Sequence, residues 1–233
     1  MRDATAWVRR RLDVARDERE RGWTLIELIV AMSLFIGLLT IAFAVLVTIS
    51  FQTKDNLART RTVDDARLGL MQIDRQVRSG NVISDPALET PTGSGVPTYY
   101  SLRVYTQTDG VYQCVQWRVR VPSGSDRGVL EYRSWKPSWQ STGGVEPWRV
   151  VARNIVTPTG AVVPADSSTW PPFFVEASDA EASSQAQTIR VTLRVKDPEQ
   201  REQSKPVALT SVLTGRNTIY GYPADSCAAI PNP

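Results

Sequence analysis

The chain has 233 residues, 42% hydrophobic and 22% charged, with a formal charge of +3; this is enough for one ordinary globular domain with appendages and too little for two large ones. It contains no histidine, which excludes Ser-His-Asp and Cys-His arrangements and histidine metal sites. With no phosphate-cradling glycine loop and no G-x-S-x-G either, the expectation is a protein that is not an enzyme and carries no cofactor.

Read from the N-terminus, residues 1–21 are rich in arginine (Arg2, Arg9, Arg10, Arg11, Arg16, Arg19, Arg21) and lead into an apolar run. From Leu28 to Phe51 there is no charge, no proline and a single glycine. As a helix this run would measure about 36 Å at 1.5 Å per residue, enough to cross a hydrocarbon core of about 30 Å. A buried core helix would be shorter and would carry a polar stripe, which is lacking here. The arginines on its N-terminal flank predict a cytoplasmic N-terminus and an extracytoplasmic remainder. No A-x-A-type cleavage site follows Phe51 directly, so conventional signal-peptide removal is not expected.

Glu27 stands at the opening of this run. A charge at the centre of a membrane helix costs roughly 2.5 to 3.5 kcal/mol, so an ionisable residue here calls for a partner or a purpose. One explanation is local: Thr24-Leu25-Ile26-Glu27 reads as a capping box, in which the threonine hydroxyl and the glutamate satisfy free N–H groups at a helix start. The other comes from the wider pattern. A basic leader ending in Gly22, then Trp23, Thr24, Leu25, Ile26 and Glu27 and an apolar helix, resembles the N-terminal cleavage and methylation motif of type IV prepilins and pseudopilins, the match running from Gly22 to about Met32. The resemblance implies cleavage between Gly22 and Trp23 on the cytoplasmic side by the prepilin peptidase, a membrane aspartyl peptidase, and methylation of the new N-terminus. Trp23 stands where the family usually has phenylalanine. It further implies that Glu27 meets the N-terminus of a neighbouring subunit during assembly, and that the partners are other pilin or pseudopilin subunits, an inner-membrane assembly platform and membrane lipid. The two explanations of Glu27 are compatible.

Beyond the run the helix is expected to continue. Val63, Ala66, Leu70, Ile73 and Val77 recur at spacings of three and four on one face, and Ser79-Gly80-Asn81 supplies a stop, predicting a helix from Trp23 to Arg78 without a proline break. The remainder reads as strands. Val111, Gln113, Val115, Trp117, Val119 and Val121 alternate with Tyr112, Cys114, Gln116, Arg118 and Arg120, and Ile189, Val191, Leu193 and Val195 with Arg190, Thr192, Arg194 and Lys196, each the period-two pattern of a sheet with one covered face. Further strands are expected at Tyr99 to Gln107, Val129 to Trp135, Arg149 to Val156 and Val207 to Thr214. Thr108-Asp109-Gly110 and Pro122 to Gly128 mark hairpin connections, and Asp85 to Pro97 and Thr157 to Pro172 surface loops. The fold class is therefore α+β, pilin-like, a long N-terminal helix against an antiparallel sheet. The division expected is a leader (1–22), a transmembrane half-helix (23–51), an extracytoplasmic half-helix (52–80) and a β-rich domain with a C-terminal tail (81–233). Size, basic hairpins and the last strand resemble the larger minor pilins or J-type minor pseudopilins.

Cys114 and Cys227 are the only cysteines. In an oxidising compartment they allow one intramolecular bridge, which would draw the tail Tyr220 to Pro233 across the open face of the sheet; two separate thiols are the alternative. Metal sites are not expected: Asp179 with Glu181, or Asp109 with Asp126, offer calcium only isolated loop carboxylates. DNA is a weak candidate, because the near balance of charge gives little attraction to phosphates, although Arg118, Arg120, Arg190 and Arg194 with Tyr112 could form a local basic face. The expected role is a minor pilin or pseudopilin, anchored in the cytoplasmic membrane and recruited into a type IV pilus, competence or type II secretion filament. A tip-exposed module binding DNA, secreted substrate or surfaces is the alternative, and a bitopic membrane protein unrelated to filaments, which would remain uncut, is a third.

Overall fold

The structure, a computed structural model, describes residues 23–157, 171–176, 187–216 and 218–233. Two compact units divide between Thr53 and Lys54. Helix α1 runs from Leu25 to Arg78, starting two residues later than expected and, as expected of a stretch without proline, unbroken. In the first unit its apolar side chains, Leu28 to Phe51 among them, are all exposed. Its hydroxyls are satisfied within the helix: Ser33, Thr40, Thr48 and Thr53 each donate to the carbonyl four residues back, at 2.8 to 2.9 Å. By length and composition α1 can cross a membrane.

In the second unit the strands β1 (Gly80–Ile83), β2 (Ser101–Thr108), β3 (Val111–Arg120), β4 (Gly128–Trp135) and β5 (Arg149–Ile155) form an antiparallel meander in chain order. Short helices α2 (Pro91–Ser94) and α3 (Trp139–Thr142) interrupt the connections. Strand β7 (Thr188–Val195) meets β5 at one residue pair, Ile155 with Val195, and is flanked by β6 (Phe173–Val175) and β8 (Val207–Thr214). The β2–β3 hairpin turns on Asp109 and Gly110, with φ of 50° and 78°. Positive φ at both positions is what a two-residue type I′ turn requires, and Asp-Gly supplies it at little strain.

Two strands escaped the sequence reading. Gly80 and Asn81, in the expected helix stop, open β1; β6 is three residues behind Pro171 and Pro172, too short to show a period. The segment Asp85–Pro97 corrects a second expectation. It is not a plain surface loop: Pro86, Glu89, Ser94 and Val96 are buried, and α2 within it walls one face of the sheet. Most of Thr157–Pro172 lies outside the described residues.

One face of the sheet covers the second part of α1. Ala66, Ile73 and Val77 are buried against Leu102, Val104, Val115, Trp117, Leu130 and Leu193, with Val63 and Leu70 half-covered at the margin. The helix face also contains residues its apolar period does not mark. Gly69 lets β4 approach so closely that a Cβ would sit 2.8 Å from Leu130 Cδ2. Gln76 Oε1 accepts from Trp117 Nε1 at 2.6 Å, and Thr62 donates to Asp197 Oδ2 at 2.8 Å. Two buried polar side chains are thus spared an unpaired group, whose cost would be about 1 to 3 kcal/mol each.

Ile73→Ala should cost about 2 to 5 kcal/mol, the usual range for truncating a fully buried aliphatic side chain. Leu68→Ala, on the 58% exposed side of the same helix, should cost under about 0.5 kcal/mol. Urea unfolding followed by tryptophan fluorescence separates the two.

Candidate functional site

The N-terminal candidates sit at the head of α1. Thr24 Oγ1 accepts from the Glu27 N–H at 3.3 Å, and the Thr24 carbonyl from Leu28 N–H at 3.1 Å. This is one half of a capping box. The other half, a bond from the Glu27 carboxylate back to the chain, is not made: the carboxylate is exposed and has no hydrogen-bond or ion-pair partner among the described residues. Trp23 is 69% exposed. Gly22, the other residue of the expected cleavage bond, lies outside the described residues.

The second feature is the face of the sheet turned away from α1. The sequence pattern of β3 assigns Cys114, Gln116 and Arg118 to an open side, yet all three are buried. Their cover is the C-terminal tail, stapled by the Cys114–Cys227 disulfide across a Cα–Cα distance of 5.8 Å. Trp135, Tyr105 and Trp139 pack around the sulfurs. The tail takes the course expected of it.

Beneath the tail lies a charge network. Glu131 on β4 accepts from Arg118 at 2.7 Å and from Arg120 at 2.6 and 3.0 Å. Arg103 on β2 pairs with Glu89 at 2.8 Å. Arg133, only 2% exposed, is held by oxygens of neutral groups: Gln116 Oε1 at 2.7 and 3.0 Å, Gly93 O at 3.3 Å, and the tail carbonyls of Pro231 and Asn232 at 2.9 and 2.6 Å. The Trp148 ring lies 3.7 Å from the Arg118 guanidinium carbon and 4.3 Å from that of Arg133, an attraction that strengthens away from water.

Burial decides the titration of these groups. It brings the Arg133 guanidinium down to about 10, and the nearby Arg118 charge acts in the same direction. Burial also lifts the Glu89 carboxyl, against the pull of Arg103. At Glu131 burial pushes upward too, but hydrogen bonds from Arg120 and Arg118 outweigh it and hold the carboxyl below its ordinary 4.5. A third cluster lies where the β7–β8 connection meets α1: Asp55 accepts from Arg201 N–H at 2.8 Å and from the Ser204 hydroxyl at 3.1 Å, and the Arg201 backbone bond holds its carboxyl low.

Other sequence candidates are not assembled. Arg118 and Arg120 share Glu131, and Arg190 is paired with Glu176. Tyr112 stacks on Tyr105 beside Tyr222. The arginines therefore do not make one exposed basic surface. Asp126 pairs with Arg127 at 3.5 Å, Asp179 and Glu181 lie outside the described residues, and no group of three or more metal-ligating side chains comes together among the described ones. No family model, curated protein or solved structure matches the chain.

Removing Glu131 leaves two cations without their shared carboxylate, so Glu131→Gln should cost about 3 to 5 kcal/mol at neutral pH. Because the folded carboxyl titrates below the unfolded one, its contribution is present above the ordinary glutamate value and is lost as pH falls through the depressed one. The stability gap between parent and variant, measured by urea melts from pH 7 downward, should narrow below 4.5. A gap that stays constant would contradict this.

Proposed function

We propose that the chain is a minor pilin or pseudopilin, a membrane-anchored assembly subunit of a type IV pilus, competence or type II secretion filament. The observation that carries this reading is the head of α1: a long helix with none of its apolar run buried within the chain, opened by a carboxylate without a partner among the described residues. The Gly22-to-Met32 resemblance, the helix-and-sheet architecture and the disulfide support it. The arginine-rich leader supports a cytoplasmic N-terminus and an extracytoplasmic domain.

The mechanism follows from charge in hydrocarbon. Cleavage after Gly22 creates an α-amine on Trp23, four residues before Glu27. While a subunit stands alone, its carboxylate is compensated locally by lipid headgroups, water or that amine. Moved into an array of packed apolar helices, it is costly unless it meets a positive group, and the amine of a neighbouring subunit supplies one. The pair then selects the one register in which charge meets charge.

Glu27→Gln keeps the size and hydrogen-bonding capacity of the side chain and removes only the charge. It should insert in the membrane and be cut as the parent is, yet be lost from sheared filaments or from pulldowns with partner subunits, as Glu27→Ala should be. If capping alone explained the residue, the Gln variant would assemble normally and the Ala variant would lose about 1 kcal/mol of helix stability.

A further inference from the structure

The tail is bound to the sheet in the way a peptide is bound to a receptor. It joins no strand of the sheet. Instead its main-chain carbonyls at alternate positions accept from fixed donors: Cys227 O from Arg103 at 2.8 Å, Ala229 O from Trp139 Nε1 at 3.0 Å and Pro231 O from Arg133 at 2.9 Å, with Asn232 O on the other Arg133 nitrogen. Side-chain contacts add Tyr222 beside Tyr105 and Tyr112, the Cys227 disulfide, Ile230 over Gly93 and Pro233 over Gly95, where a Cβ on either glycine would come within 2.8 to 2.9 Å of the tail.

Two of the three donors also have partners outside the tail. Arg103 is held by Glu89 and Ser84, and Arg133 by Gln116 and Gly93. The tail leaves the rest of the chain through an open joint: Tyr220 is 71% exposed, and Gly221, with φ of 66°, has nothing within reach of a Cβ. A groove in which Arg103 and Arg133 keep partners of their own, joined to its occupant by a glycine pivot, can receive the same peptide from another chain, as in segment exchange between protomers.

We propose that the groove formed by Arg103, Arg133, Trp139 and Gly93 is a binding site for an extended peptide, and that before oxidation it takes the Cys227–Pro233 segment of a second copy of this chain as well as its own. Cys114 then makes the choice covalent. The oxidant is a small disulfide such as oxidised glutathione. The Cys227 thiolate attacks it, forming a mixed disulfide and releasing one glutathione thiol; the Cys114 thiolate attacks the mixed disulfide at Cys227, releasing the second. The two electrons lost by the cysteines and their two protons end on the two glutathione thiols. This inference does not depend on the role of Glu27.

The test uses two full-length chains with different epitope tags, co-expressed in membranes and oxidised with glutathione disulfide. One carries Cys114→Ser and keeps the tail cysteine; the other carries Cys227→Ser and keeps the groove cysteine. The proposal predicts a heterodimer on non-reducing gels that dithiothreitol dissolves. Its yield should fall about fivefold when Trp139→Phe is added to the groove-bearing chain, since that change removes one donor to the tail while keeping an aromatic side chain. Absence of the heterodimer would overturn the proposal, as would a yield unaffected by Trp139→Phe, which would mark a chance collision of thiols.

Discussion

A helix whose apolar run is wholly exposed within its own chain has to find its cover elsewhere. Between Leu28 and Phe51 the backbone bonds are internal, the hydroxyls of Ser33, Thr40 and Thr48 fold back on the helix, and no charge interrupts the surface. Lipid or other apolar helices can accept such a surface; water cannot do so cheaply, at about 25 cal/mol for each Å² of apolar area. Glu27 is the exception at the margin, a carboxylate without a partner among the described residues.

The second unit solves the opposite problem, burying one face of its sheet under α1 and the part of the other face around β2, β3 and β4 under a tail. Against α1 the contact is apolar and close, with Gly69 setting the distance to Leu130 and Gln76 meeting the Trp117 indole. On the far face the cover is thin, and polar groups lie under it. Burying Arg118, Arg133, Glu89 and Glu131 demands that each find partners, which is why carboxylates, Gln116 and successive carbonyls of the tail converge there. The disulfide adds to this cover: closing a loop of 113 residues is worth about 4 to 5 kcal/mol in the chain-entropy model.

What the sequence showed and what it hid have physical reasons. The apolar run announces itself by composition, the α1 face by its spacing of three and four, and β3 and β7 by strict alternation, with β2, β4, β5 and β8 expected around them. Cys114 and Cys227 were legible as the only pair available. The far face was not, since Gln116, Arg118 and Arg133 alternate as solvent-facing residues do, and only the tail that covers them makes them interior. Glu89 and Ser94 were hidden in a segment whose prolines and glycines signal a loop. Thr62 and Gln76 break the apolar period of α1 because their burial is permitted by single partners, Asp197 and Trp117, far away in sequence.

The central claim is that the apolar helix begins at a processed terminus that places an amine beside Glu27. Mass spectrometry of the N-terminal peptide from membrane-extracted protein tests it most directly. The account predicts a chain that starts at Trp23 and carries a methylated α-amine. Chains that start only at Met1, or beyond Phe51, would contradict it.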